Sequence, residues 1–316
     1  ENQVVTPELW DLINWMSDYY LTPVGQVAKA VLPSGLSDRY IPPQHVYVQS
    51  SNHVDKEKLK KIKEKAPIQY KIFKIILSNK TPIRVSLLKT NCSNPYQICK
   101  TLEKNKLVFL SEKQLLPNMQ NSVFDTVSKK IIFNNDQKNA LKTFSQALKK
   151  KTYSPFLLHG VTGSGKTEVF IEAVKKCLSG NRDAIVLLPE IALTSQIAGR
   201  FKSVFGNNIA LWHSGLTRSQ RAWTWTQISK GNLKVVIGAR SAIFAPVRRL
   251  GLLVIDEEQE SSYRQEAPVP RYNARDVALV RAKKSNSVII LSSATPSLES
   301  YYNYINKKIK YISLTK

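Results

Sequence analysis

The chain has 316 residues, with 47 Lys and Arg against 23 Asp and Glu, a formal net charge of +24. That length exceeds one small core and predicts two or three domains; the charge predicts a polyanionic partner, nucleic acid before a membrane surface, although a Lys-rich genome gives the same excess. No apolar run approaches the ~18–20 residues of a membrane helix, and three cysteines with no C-x-x-C pair, beside four scattered histidines, argue against a disulfide framework or a zinc site.

The N-terminal "ENQVVTPELW" lacks an initiator Met and reads as neither a signal nor a transit peptide, so a processed or incomplete chain is expected. "TPELWDLINWMSDYY" predicts a helix with a Thr cap, Pro7 at the first position and Leu9, Leu12, Ile13 and Met16 on one face. "TPVGQVAKAVLPSGL" predicts a second helix, stopped by Pro33 and Gly35, and "YIPPQH" a linker. This first region spans residues 1–44.

Residues 45–116 form a second region. "DKEKLKKIKEKA", "IQYKIFKIILSN", "PIRVSLLKT" and "NPYQICKTLEKNK" predict four helices, and "LVFLSEKQLL" a strand or two. Short helices closed by a β-wing fit a winged helix, a relative of the helix-turn-helix; other small helical domains share the pattern.

In the third region, 117–316, the periodicity changes. "PFLLHG", "AIVLLPE", "NIALWHS", "KVVIGAR", "LLVIDEE" and "SVIILSSAT" are apolar runs separated by helical stretches. Runs apolar on both faces predict a parallel sheet covered on both sides, an α/β class.

The first of these strands leads into "HGVTGSGKTEVF", with Gly160, Gly165, Lys166 and Thr167 in the phosphate-loop pattern. The backbone of Gly160, Val161, Thr162, Gly163, Ser164 and Gly165 can cradle phosphate oxygens. Lys166 supplies charge to the β and γ phosphates, the Thr167 hydroxyl can ligate Mg²⁺, and the following helix points its N-terminal dipole at the anion. A nucleotide loop needs a second strand ending in acids. In "GLLVIDEEQE" Asp256 is placed to hold Mg²⁺ and Glu257 to orient and deprotonate the attacking water. Gln137, about two dozen residues before the loop, can read an adenine edge or simply start a helix. "LSSATP", Ser292 to Pro296, is either a polar loop or a hydrogen-bond relay from the γ-phosphate site.

Three stretches mix aromatic and basic residues. In "GARSAIFAP", Arg240 and Ser241 are candidates for DNA phosphates. In "ESSYRQEAPVPRYNARD", Tyr263, Arg264, Arg271, Tyr272 and Arg275 are candidates for stacking on single-stranded bases and holding their backbone, a basic surface loop being the alternative. In "WHSGLTRSQRAWTWTQI", the helical spacing leaves Trp223 and Trp225 equally open to packing.

Together these motifs resemble superfamily 2 helicases. "LLHGVTGSGKTEVF", "LLPEIALTSQIAGRF", "WHSGLTRSQR", "VVIGARSAIFAP", "IDEEQESSYRQ" and "LSSATPSLESYYN" resemble the primosomal helicases that restart bacterial replication, the PriA family. "WMSDYYLTPVGQVAKAVLPSGL" resembles the end of that family's DNA-binding domain for a leading-strand 3′ end.

The resemblance implies a RecA-like ATP-binding lobe at 117–316, a winged helix at 45–116 and a partial N-terminal DNA-binding piece at 1–44. It implies an ATP- and Mg²⁺-dependent 3′→5′ DNA helicase that recognises stalled forks, with primosome proteins and single-stranded DNA-binding protein as partners, in the bacterial cytoplasm at the nucleoid. Where the family has Asp-Glu-Glu-His, this chain has Asp256, Glu257, Glu258 and Gln259. The His couples ATP hydrolysis to DNA binding in the family, and Gln259, which also donates and accepts, is assigned the same role here. The family's second RecA-like lobe, zinc-binding segment and C-terminal domain have no counterpart among these residues, so no zinc is expected in this chain. A non-catalytic fork-binding piece with a vestigial ATP site, and another superfamily 2 translocase, are the alternatives.

Overall fold

A computed structural model describes residues 5–36, 44–51, 56–79, 82–114, 132–190 and 195–315. Two compact units emerge: Glu1–Tyr40 with Asn121–Lys316, and Ile41–Gln120. The sequence separates residues 1–44 from 117–316; in the structure the helices of the first segment pack into the same unit as the third. Most of the predicted linker, and the boundary at 116 and 117, lie outside the described residues.

The large unit is built on a 7-stranded sheet in the order β10-β4-β9-β8-β5-β7-β6. The strands are β4 (Ser154–Gly160), β5 (Asp183–Leu187), β6 (Ile209–Trp212), β7 (Val235–Gly238), β8 (Leu250–Ile255), β9 (Val288–Ser293) and β10 (Lys310–Leu314). Every pairing is parallel. All six predicted apolar runs are strands, and β5, β7, β8 and β9 are buried at every position. This is the α/β architecture of a RecA-like lobe. The sequence reading missed β10, an edge strand with exposed Lys310 and Ser313 that pairs with β4.

Helices α6 (Asn135–Lys150) and α7 (Lys166–Ser179) pack together over one side of the sheet, where Phe144, Phe156, Phe170, Val174 and Ile290 share a core. α6 opens with a capping box: the Asn134 side chain accepts from Gln137 N, and the Gln137 side chain accepts from Asn134 N. α8 (Ser195–Phe205), α9 (Arg218–Ser229), α10 (Ala274–Lys284) and α11 (Leu298–Ile305) complete the crossovers. Trp223 and Trp225 are buried, which settles their role as packing residues.

α1 (Pro7–Tyr19) and α2 (Val24–Val31) follow the sequence closely. Thr6 caps α1, Pro7 stands at its start, and Leu9, Leu12, Ile13 and Met16 are fully buried. α1 runs along α10. Glu8 near its start meets Arg281 near the end of α10, and the Tyr20 phenol just past α1 accepts from the backbone of Asn273 at the start of α10. Burial there raises the Tyr20 phenol to about 12, so it stays protonated.

The small unit holds a three-stranded antiparallel sheet, β2-β1-β3. β1 (Gln44–Ser50), which the sequence reading missed, lies between β2 (Ile83–Arg84) and β3 (Val108–Gln114). Helices α3 (Lys56–Lys65), α4 (Pro67–Ser78) and α5 (Pro95–Lys104) were each predicted. "PIRVSLLKT" is not an α-helix: after the two residues of β2 it forms a 3-10 helix, Val85–Thr90. Val48, Phe73, Ile76, Leu88 and Leu102 form the core of this unit.

Candidate nucleotide and nucleic-acid site

The phosphate loop joins β4 to α7 at the C-terminal edge of the sheet. Its geometry depends on glycine. A β-carbon on Gly160 would meet Ser164 Oγ at 2.7 Å, and Gly165 turns at φ +78°, where a β-carbon would run into the Gln137 amide. The Ser164 hydroxyl is buried without a hydrogen-bond partner. Lys166 is buried, and its ammonium donates to the carbonyls of Gly160 at 2.6 Å and Val161 at 3.3 Å. Thr167 is half-buried in the first turn of α7.

The acids follow β8, two strands away. Asp256 Oδ1 accepts from Ser292 Oγ at 3.0 Å and from the Glu257 backbone at 3.2 Å. Burial pushes the Asp256 carboxyl above the usual range, and the Ser292 hydroxyl opposes that shift. Glu257 takes a left-handed backbone at φ 47°, a conformation that costs a non-glycine residue about 1 kcal/mol or more. The carboxylate reaches Lys166, with Oε1 at 3.7 Å from Nζ, and Oε2 accepts from Gln259 Nε2 at 3.0 Å. Gln259 Oε1 in turn accepts from Ser293 Oγ at 2.6 Å, and Ser293 Oγ accepts from the Thr295 backbone at 2.8 Å. Lys166, Glu257, Gln259 and Ser293 thus form one continuous chain of polar contacts. Of the two readings of "LSSATP", the relay is the one this geometry fits.

Glu258 was the acid without an assigned role. It is buried, with its carboxylate accepting from Ser297 N at 2.7 Å, Ser300 Oγ at 2.9 Å and Arg275 Nη1 at 3.3 Å. It fastens the starts of α10 and α11 to the strand that carries Asp256. A carboxylate three positions beyond a buried strand was the available signal, but its partners lie 17 to 42 residues away.

The other candidates divide. Gln137 does reach the phosphate loop, through Nε2 to Ser164 O at 2.9 Å, while Oε1 is held by Asn134 N. Arg240 lies against Tyr272, 5.8 Å from its ring centre, and donates to the carbonyl of Arg264. Ser241 Oγ accepts from Trp212 Nε1 at 3.1 Å, and Arg264 and Arg271 are exposed. Arg275 is buried against Glu258 and does not face a nucleic acid, and Tyr263 and Tyr272 likewise correct the sequence reading. Both rings are buried, 1% and 2% exposed, and have no free face for a base. The Tyr263 hydroxyl donates to Asp256 O at 2.7 Å, and Tyr272 packs edge-on against Phe244. Their part is to brace the loop that presents the arginines. No group of three or more metal-ligating side chains occurs among the described residues, and no described helix is long and apolar enough to cross a membrane.

A phosphate loop on a parallel sheet, facing paired acids and tied to a serine-rich strand end, is the arrangement of a helicase motor lobe. Residues 134–303 match the DEAD/DEAH box helicase family. The chain belongs to that family. Residues 1–33 match the 3′DNA-binding domain (3′BD). The replication restart protein PriA of Chlamydia pneumoniae is 36% identical over 313 residues, 98% of this chain and 42% of that protein. PriA of Bacillus subtilis is 41% identical over 215 residues, 65% of this chain and 27% of that protein. The chain therefore spans well under half the length of these relatives, and the likeness to the primosomal helicases read from the motifs stands. Among solved structures, RecG bound to a three-way DNA junction aligns over 60% of this chain and 24% of its own, at 24% identity and a TM-score of 0.46.

Proposed function

We propose that this chain is the fork-binding and ATP-binding portion of a 3′→5′ replication-restart helicase. The contact chain Lys166–Glu257–Gln259–Ser293 carries the reading. It ties the phosphate loop, the acid pair and the last hydroxyl strand into one unit.

The residues fit ATP·Mg²⁺: the loop leaves no room for a β-carbon at Gly160, and an unpartnered hydroxyl, Ser164 Oγ, lies within it. The backbone from Gly160 to Gly165 would hold phosphate oxygens, with Lys166 moving from the loop carbonyls to them. Thr167 and Asp256 would hold the metal, which when bound neutralises charge on the β and γ phosphates. Glu257, already aimed into the site by its left-handed backbone, orients the water. Gln137 braces the loop and stands next to the adenine side.

On the DNA side, Arg240, Ser241, Arg264 and Arg271 contact the backbone, positioned by the buried Tyr263 and Tyr272. Residues 1–44 supply 3′-end binding, in keeping with the 3′DNA-binding domain match. Residues 45–116 act as a winged helix: α4, α5 and the 3-10 turn between them pack on the three-stranded sheet. Residues 117–316 are the first motor lobe. Forked DNA, primosome proteins and single-stranded DNA-binding protein are the partners, and the bacterial cytoplasm at the nucleoid is the site of action.

ATP hydrolysis measured with and without a forked DNA carrying a leading-strand 3′ end tests this reading. DNA-stimulated turnover is expected once a second lobe is present in cis or in trans. A chain that binds neither a fluorescent ATP analogue nor forked DNA overturns it. Gln259→Ala cuts both the bond to Glu257 and the bond to Ser293. Its expected effect is a loss of DNA stimulation by about tenfold or more, the scale of one or two missing hydrogen bonds, with analogue affinity within about twofold of the parent. Undiminished stimulation removes Gln259 from the coupling role.

A further inference from the structure

The nucleotide loop, the acids and the serine relay all follow the C-terminal ends of their strands. The opposite edge of the sheet has a separate character. Lys151 precedes β4, Lys284 precedes β9, Arg248 and Arg249 precede β8, and Arg182 precedes β5. These are four adjacent strands in the order β4-β9-β8-β5, so the cations stand side by side along one edge. At ~4.8 Å per strand the row spans roughly 14 Å. α6 extends it: Lys138, Lys142 and Lys149 recur at helical spacing on one exposed face, roughly 16 Å long at 1.5 Å per residue. The side chains line three adjoining concavities that share Lys149, Lys151 and Arg182 at their joins.

Three observations make this more than a scatter of surface lysines. The two acids in the linings are already committed: Glu8 to Arg281 at 3.0 Å and Glu172 to Lys175 at 3.2 Å. Asp183, at the start of β5, is buried and accepts from the backbone of Arg249, while Arg249 itself is exposed. The row is also braced. Arg182 donates to the carbonyls of Leu250, of Ser285 at 3.0 Å and of Asn286 at 3.2 Å, clamping together the segments that carry Arg249 and Lys284.

We propose that this edge, with the exposed face of α6, is a second DNA-binding surface that holds the phosphate backbone of a duplex arm. It rests on the DNA reading above and adds a site to it, centred on the edge of the sheet opposite the nucleotide and running from there along α6. A double helix suits it better than a single strand. Single strands are gripped by exposed aromatic faces between the cations. Among the described residues, the only aromatic side chain lining the concavities is Phe133, which packs against the core. A surface of charge without stacking platforms reads backbone and not bases.

The test uses the full chain, a labelled blunt duplex of about 20 base pairs, a single strand of the same length and a fluorescent ATP analogue. Two variants each reverse charge on one part of the tract away from the phosphate loop: Lys142→Glu/Lys149→Glu, and Arg248→Glu/Arg249→Glu. Each is expected to weaken duplex binding by on the order of tenfold or more near 0.1 M salt. Each should also lower the salt slope by about 0.9 for every phosphate that is no longer neutralised. Single-strand affinity should change less than duplex affinity, and analogue binding should not change. Duplex affinity and slope equal to the parent's overturn the proposal, as does an equal loss for both DNAs. So does a tract that binds an acidic peptide while duplex binding is unaffected. A parent chain that binds no DNA fails the functional reading itself, a result distinct from a parent that binds and a variant that binds equally well.

Discussion

Lys166→Ala is expected to weaken binding of ATP or a fluorescent analogue by on the order of 100-fold and to leave DNA affinity unchanged. The lysine is 7% exposed, and its ammonium is held by two loop carbonyls and faces Glu257 at 3.7 Å. This ammonium is the charge that the loop itself encloses, so alanine empties the cradle of it. Hydrogen bonds to charged groups contribute about 1.5–3 kcal/mol, equivalent to roughly 10- to 150-fold in affinity. Lys166→Arg does not rescue: a planar guanidinium is not a substitute for a compact ammonium in a loop this tight. DNA affinity is the control, because a buried side chain at the nucleotide edge reaches neither the exposed arginines nor the basic tract. An analogue titration together with DNA binding by fluorescence anisotropy measures both, and unchanged analogue affinity removes Lys166 from the nucleotide site.

The phosphate loop was legible because its chemistry is local. Glycines, lysine and threonine stand within eight positions, and the strand before them has an apolar centre, Pro155 to Leu158. β5, β7, β8 and β9 were legible for a related reason: burial on both faces leaves no polar alternation to confuse the period. β10 and β1 escaped for the converse reason. "KYISL" alternates with polar residues at the edge of its sheet, and "QHVYVQS" follows a proline pair that suggested only a linker.

Tyr263 and Tyr272 show a different limit. Interleaved Tyr and Arg have the composition of a stacking surface, but composition does not report which rings are buried. Here a 3-10 turn and a bridge between Arg264 and Asn273 fold the segment inward, so the tyrosines fill space and the arginines remain outside. Glu258 and Arg275 were illegible as a pair because Glu258 reads as one more acid after the strand and Arg275 as one more arginine of a DNA-facing loop. Only the fold places them 3.3 Å apart under the first turn of α11.

The largest loss of stability is expected from Arg281→Ala. Arg281 sits in α10 among lysines and reads as one more basic surface residue, yet it is fully buried. Its guanidinium donates to Glu8 Oε1 at 3.0 Å, to Ala245 O at 2.9 Å and to Ile243 O. One side chain therefore joins α1, α10 and the loop that carries Arg240 and Ser241. Alanine removes the charge and the packing together and leaves two buried carbonyls and a part-buried carboxylate without their donor. Breaking a buried ion pair from one side costs about 3–5 kcal/mol. For a unit of this size each kcal/mol lowers Tm by about 2–4 °C, so a fall on the order of 10 °C is expected in a thermal melt. Glu8→Gln separates charge from connection. Glu8 is 22% exposed at its side chain and an amide oxygen still accepts, so its loss should be under about 1.5 kcal/mol. If Arg281→Ala melts within a degree or two of the parent, the arginine is not the joint between α1 and the Arg240 loop. If it melts far lower while Glu8→Gln does not, the carbonyls of Ile243 and Ala245 carry most of the interaction. The docking of α1 then depends chiefly on its apolar face of Leu9, Leu12, Ile13 and Met16.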